Sequence, residues 1–131
     1  MPYINIRLAG HLEQEQRNQL YEQTTSLMNT VMRKRREVTV VHIQESEPQQ
    51  WSTNAIPLAA KTPIGAYVDI KVTDGTNTPE EKAEMISQTV RMLHDVVGTI
   101  QEACYVVIDD IPAESWGYNG KTQAARAASK L

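Results

Sequence analysis

The sequence predicts an α/β fold of the α+β kind, in which two tandem β-α-β units share one four-stranded mixed sheet. Two helices are expected on one face of that sheet, with a pseudo-two-fold axis between the units. Three observations carry this reading. The first is an internal repeat. Tyr3-Ile4-Asn5-Ile6-Arg7-Leu8 matches Tyr67-Val68-Asp69-Ile70-Lys71-Val72 at an offset of 64. After one inserted residue the offset is 65, pairing Gly10 with Gly75, Arg17 with Lys82, Leu20 with Met85, Thr24 with Thr89, Val31 with Val96 and Glu45 with Asp110. The same register ends on Trp51 with Trp116 and Asn54 with Asn119. The second observation is a change of hydrophobic period within each copy, from strand to helix and back to strand. The third is size: one unit is too small to bury both a helix and a sheet, and two together are not.

The elements follow in order. Ile4, Ile6 and Leu8 alternate with polar positions, a strand with one buried face. Leu20, Thr24, Leu27, Met28 and Val31 form the inner face of the first helix. Arg33-Lys34-Arg35-Arg36 closes that helix, either as cations suited to its C-terminal dipole or as an anion-attracting rim. Val38 to Ile43 is the return strand, and a strand–helix–strand unit of this length calls for a right-handed crossover and parallel pairing. Pro48, Pro57, Pro63 and Gly65 mark a turn-rich stretch that joins the units. Val68, Ile70 and Val72 repeat the first strand. Thr78 as N-cap, Pro79 at the first helical position and Glu81 closing a capping box start the second helix, and Gly98 ends it. Ile86, Val90, Leu93 and Val97 are expected on its inner face. Tyr105 to Ile111 is the last long strand, and Ala124 to Ala128 an ordinary helical tail. The chain is thus one domain over 1–131, with units at 2–54 and 66–120, a connector at 55–65 and a tail at 121–131. The sheet face without helices stays half apolar, which predicts an oligomer.

Composition excludes several classes. A net charge of −3 argues against nucleic-acid binding. No apolar run approaches membrane-span length, and the first residues lack the regions of a signal peptide. The single cysteine, Cys104, permits no intrachain disulfide and fits a reducing, cytoplasmic setting. The terminal Ser129-Lys130-Leu131 matches a peroxisomal address, which is a cheap three-residue pattern. His11, His42 and His94 have no metal-ligand spacing, so neither metal nor cofactor is expected.

Pro2 stands at the head of the first strand, where a missing ladder donor costs nothing. Once Met1 is removed its nitrogen is a secondary amine. An α-amine titrates at about 7.7–8.0, and apolar surroundings lower that value. Such a group suits proton transfer near neutral pH. If Met1 stays, the nitrogen is a tertiary amide without a usable lone pair, and the chain is a non-catalytic oligomer.

Pro2, the stretch Gly75-Thr76-Asn77-Thr78-Pro79-Glu80-Glu81-Lys82 and the stretch from Val106 to Gly120 together resemble the tautomerase superfamily over 2–54 and 66–120. The double-length layout is similar to that of the cis-3-chloroacrylic acid dehalogenase and malonate semialdehyde decarboxylase groups. The resemblance implies a homotrimer in which Pro2 acts as general base and acid on a small carbonyl or enol substrate. It implies that only one of two pseudo-equivalent sites is competent, because Ala66 stands where the second proline would be. Trp116, Tyr118, Asn119, His11, Arg35 and Arg36 are the candidate substrate-binding residues. The family's carboxylate-clamp arginines fall here on His11, Val40, Thr76 and Tyr105, and its water-activating acid on Tyr118. These departures favour keto–enol isomerisation over hydration, dehalogenation or decarboxylation of a short acid. They also predict that a neutral or singly charged enol is preferred to a dicarboxylate.

Overall fold

The computed structural model describes residues 2–59 and 63–129; Met1, on whose removal the Pro2 amine depends, and Lys130 and Leu131 of the terminal tripeptide lie outside them. The long elements are β1 (Tyr3–Ala9), α1 (Gln14–Thr30), β2 (Val40–Ser46), β5 (Ala66–Thr73), α2 (Pro79–Val97) and β6 (Tyr105–Ile111). Two two-residue ribbons, β3–β4 (Ser52–Thr53 with Ile56–Pro57) and β7–β8 (Gly117–Tyr118 with Lys121–Thr122), follow β2 and β6, and α3 (Gln123–Ala128) ends the chain.

The sheet runs β2-β1-β5-β6. Each unit pairs its own strands in parallel, and the units meet antiparallel along β1 and β5, with Tyr3 opposite Lys71 and Leu8 opposite Ala66. This is the expected mixed sheet about a pseudo-two-fold. Ile4, Ile6, Leu8, Val68, Ile70 and Val72 are at most 1% exposed and form the sheet side of the core. Leu20, Met28, Met85, Met92 and Leu93 cover them from α1 and α2. The repeat extends to the ion pairs. Arg17 Nε binds Glu45 Oε2 at 2.7 Å, and its counterpart Lys82 binds Asp110 Oδ2 at 2.6 Å.

Two expectations are corrected. Helix α2 turns Met85, Thr89, Met92 and Leu93 inward, and Ile86 is 39% exposed, so its buried stripe is rotated from the one that hydrophobicity alone suggests. Helix α1 stops at Thr30, with no basic residue in its last turn. Arg33 to Arg36 therefore forms a loop that enters a short 3-10 turn over Arg36–Val38, and β2 starts at Val40. The helical tail is present as expected: α3 follows the second ribbon, with the Gln123 and Ala124 N–H groups donating to the Trp116 and Ala113 carbonyls at 2.9 and 3.0 Å.

Candidate active site

The register of β1 fixes where Pro2 lies. Tyr3 pairs with Val40 on one side and Lys71 on the other, so Pro2 sits where β2 begins and β5 ends. It is buried, and its carbonyl accepts the Val40 N–H at 3.4 Å.

At this end of the sheet lies a cavity of about 450 Å³, walled by the loop around Lys34, the turn at Thr73 and Thr76, and α3. Local bonding turns the loop inward. Lys34 N–H donates to the Met28 carbonyl at 2.9 Å, and Asn29 Nδ2 donates to the Lys34 carbonyl at 2.9 Å. Arg33 adopts φ 60°, and its guanidinium grips Glu81 at 2.7 and 3.1 Å and the Thr76 carbonyl at 2.9 Å. Lys34 is left 8% exposed, with Nζ donating to Thr76 Oγ1 at 2.7 Å; that hydroxyl in turn donates to the Thr73 carbonyl at 2.6 Å. Burial, and secondarily Arg33, lowers the Lys34 pKa, against the pull of Glu81 and Asp110.

The far wall is built by the second ribbon. Asn119 and Gly120 have φ 52° and 77°, the pattern of a type I′ hairpin, and Asn54 and Ala55 repeat it at 56° and 63°. A Cβ at Gly117 would run into the Lys121 carbonyl, so the strands close only with glycine there. Thr122 then caps α3 by accepting the Ala125 N–H at 3.0 Å. The cap directs Arg126 onto Tyr118, with its guanidinium carbon 3.7 Å from the ring centroid and Nη2 donating to the Tyr118 carbonyl at 3.0 Å. Arg126 Nε and Gln123 Nε2 are buried without a partner among the described residues.

Of the residues singled out from sequence, Tyr118 and Arg35 line this cavity. Trp116 donates from Nε1 to Thr73 Oγ1 at 3.2 Å and lines a separate shallow depression beside the ribbon. Asn119 is exposed at the hairpin tip, where its positive φ forms the turn. Arg36 points away and pairs with Glu22 at 2.7 Å. His11 follows the other end of β1, a strand length or about 23 Å from Pro2 at 3.3 Å per residue; it binds Glu47 at 2.7 Å. Nothing in the sequence sets Lys34 apart from its charge run, or Gln123 and Arg126 from the tail. The signal available for α3 was Thr122 ahead of a helix-forming stretch with one arginine.

The pseudo-equivalent site at the opposite end is open and aromatic, with a cavity of about 480 Å³ near Arg7, Trp51, Tyr67 and Tyr105. Ala66 stands at its head without an amine. A Cβ at Gly65 would lie 2.5 Å from Trp51 Nε1, so the indole packs flat on that backbone. Among the described residues no group of three His, Cys, Asp or Glu gathers as a metal site, and no helix is long and apolar enough to cross a membrane.

The family model for tautomerase enzymes matches residues 2–54 and 67–126. A probable tautomerase K2 of Dickeya dadantii (strain 3937) is 28% identical over 60 residues, covering 46% of this chain and 90% of that relative, so one relative corresponds to one unit. The wild-type Q0 fused 4-OT, a symmetric trimer, superposes with a TM-score of 0.84 at 19% identity, covering 95% of this chain and 98% of its own. N1, a member of the cis-3-chloroacrylic acid dehalogenase family, does so with a TM-score of 0.79 at 15% identity, covering 98% and 92%. The repeat and the antiparallel meeting of the units agree with these matches: the chain belongs to the tautomerase family, in its fused, double-unit form.

Proposed function

We propose that this protein is an isomerase that interconverts the enol and keto forms of a small carbonyl compound, using the amine of Pro2 after removal of Met1. The supporting observation is the position of Pro2, buried at the sheet end that also holds the cavity lined by Lys34 and Arg126, although Pro2 itself is not one of the lining residues. Burial favours the uncharged amine, which takes a proton from the enol hydroxyl. The same group, now protonated, delivers a proton to carbon and is neutral again. Charge that develops on the substrate oxygen between these steps meets a ready-made positive field. We extend to this chain the trimeric assembly of the fused 4-OT.

The test is ketonisation of phenylenolpyruvate, a singly charged enol. Pro2→Ala should lower turnover at least about a hundredfold, the low end of a general acid–base contribution. Wild-type turnover in that variant would sink the mechanism. Intact mass supplies an independent check, since retention of Met1 on the active protein is incompatible with an amine at Pro2.

A further inference from the structure

We propose that Lys34 is a second reactive amine of this protein, one that condenses with a small aldehyde or ketone in the cavity to form a Schiff base. The proposal goes beyond proton transfer by Pro2 and does not depend on it.

Placement is the first argument. Lys34 lines the cavity together with Thr76, and it is 8% exposed. Its backbone is held on both sides, by the Met28 carbonyl at 2.9 Å and by Asn29 Nδ2 at 2.9 Å. Its far end is tethered, with Nζ donating to Thr76 Oγ1 at 2.7 Å. A surface lysine is a flexible, strongly hydrated charge; this one is anchored at both ends and largely withdrawn from water.

Charge is the second argument. The Thr76 hydroxyl gives its own proton to the Thr73 carbonyl at 2.6 Å, so towards Lys34 it acts as an acceptor. One N–H satisfies that bond, and a neutral amine has an N–H to give as an ammonium does. The rest of the surroundings favour the neutral form. Arg33 and Arg35 flank Lys34 in the chain, Arg126 lines the same cavity, and no carboxylate does. The opposing charges felt at Lys34 are Glu81 and Asp110. Each is already taken up by another cation, Glu81 by Arg33 at 2.7 Å and Asp110 by Lys82 at 2.6 Å. Burial and Arg33 accordingly lower the Lys34 pKa. A lysine that is desolvated and set beside other cations is one whose lone pair becomes available for attack on a carbonyl.

The step itself balances without an oxidant or reductant. Neutral Nζ adds to the carbonyl carbon, and the C=O π pair moves to oxygen. A proton passes from nitrogen to that oxygen, giving a carbinolamine. The nitrogen lone pair then forms C=N as the hydroxyl takes up one proton and leaves as water. The protonated imine keeps one N–H, which Thr76 Oγ1 is placed to accept. At about 450 Å³ the cavity has room for a small carbonyl compound.

The experiment treats the intact protein with propionaldehyde and sodium cyanoborohydride at pH 7, which reduces each imine to a stable propylamine. Peptide mass mapping then gives the rate at each lysine. Lys34 should be alkylated at least about tenfold faster than Lys121, an exposed lysine of the β7–β8 ribbon, because only the neutral amine adds. Raising the pH to 9 should speed Lys121 more than Lys34, since an amine of lowered pKa has already lost more of its protons at pH 7. In urea the two rates should converge, because the preference belongs to the fold. A Lys34 rate equal to or below that of Lys121 in the folded protein overturns the proposal, and so does a preference that persists in urea. Pro2→Ala separates the two readings: it should lose isomerase turnover and keep the fast adduct at Lys34. A fast adduct found only at Pro2 sinks the Lys34 assignment and leaves the isomerase reading standing.

Discussion

The Glu81 carboxylate accepts from the Thr78 N–H at 2.9 Å, from Asn77 at 3.1 Å and from Arg33 at 2.7 and 3.1 Å. The Thr78 side of this pattern is a capping box and was legible from Thr78-Pro79-Glu80-Glu81 alone. The Arg33 side was not, because nothing local couples residues 48 positions apart. Together they fasten the loop that carries Lys34 to the start of α2. Arg33 first, then the Thr78 backbone and Asn77, hold the Glu81 pKa at about 2, below the ordinary 4.5. A depressed carboxylate stabilises the fold above its unfolded pKa, and that contribution is lost as pH falls from about 4.5 towards 2. Glu81→Gln should therefore be less stable than wild type near neutrality, and the gap should shrink between pH 5 and pH 3. Urea midpoints at both pH values check this; a gap that stays constant with pH would rule out the ion pair as its source. The site residues show the same division between local and long-range signals. Tyr118 and Arg35 were within reach because the closing hairpin and the charge run are visible in sequence. A lone Arg126 in an alanine-rich stretch has no period, and it acquires a partner only when the hairpin brings Tyr118 beneath it.

Among the elements, α2 shows what the repeat knows that hydrophobicity does not. Two adjacent arcs of this helix are apolar, one through Met85 and Met92, the other through Ile86, Val90 and Val97. Summed hydrophobicity cannot choose between arcs about 100° apart. The offset of 65 can, since it equates Met85 and Thr89 with Leu20 and Thr24, and all four are fully buried. Met85→Ala should then cost about 2–5 kcal/mol, as for other buried large-to-small changes. Ile86→Ala should cost under about 1 kcal/mol, because the side chain is 39% exposed. Chemical denaturation of the two variants ranks them, and the reverse order would mean that α2 is rotated. The repeat also explains why His11 and Pro2 separate within one chain. Aligned positions after the first turn of each unit, His11 and Thr76, go to opposite ends of the sheet because β1 and β5 run antiparallel. Thr76, from the other unit, is the one that shares the end with Pro2.

For the whole molecule, the pairing order leaves β2 and β6 as the two edges of the sheet. Their outward side chains include Val40, Val107 and Tyr105, at 49%, 38% and 70% exposed. The central strands of the open face are polar and already paired: Lys71 lies 3.0 Å from Asp109 and 3.5 Å from Asp69, and Arg7 Nε donates to Asn5 at 2.7 Å. Apolar surface is thus concentrated on the two edge strands. An edge of that kind is a template for another chain, and the pseudo-two-fold makes the two edges alike, so that copies can join edge to edge around a ring. A closed ring leaves no edge open, which favours a finite assembly over a filament. The expected species is a trimer of about 44 kDa, three times the 14.7 kDa chain. Sedimentation at micromolar concentration should find it, and Val107→Lys, which puts a charge on the β6 edge, should shift the population towards monomer. A wild-type protein that sediments as a monomer would refute the edge argument. A trimer unaffected by Val107→Lys would place the interface on another surface.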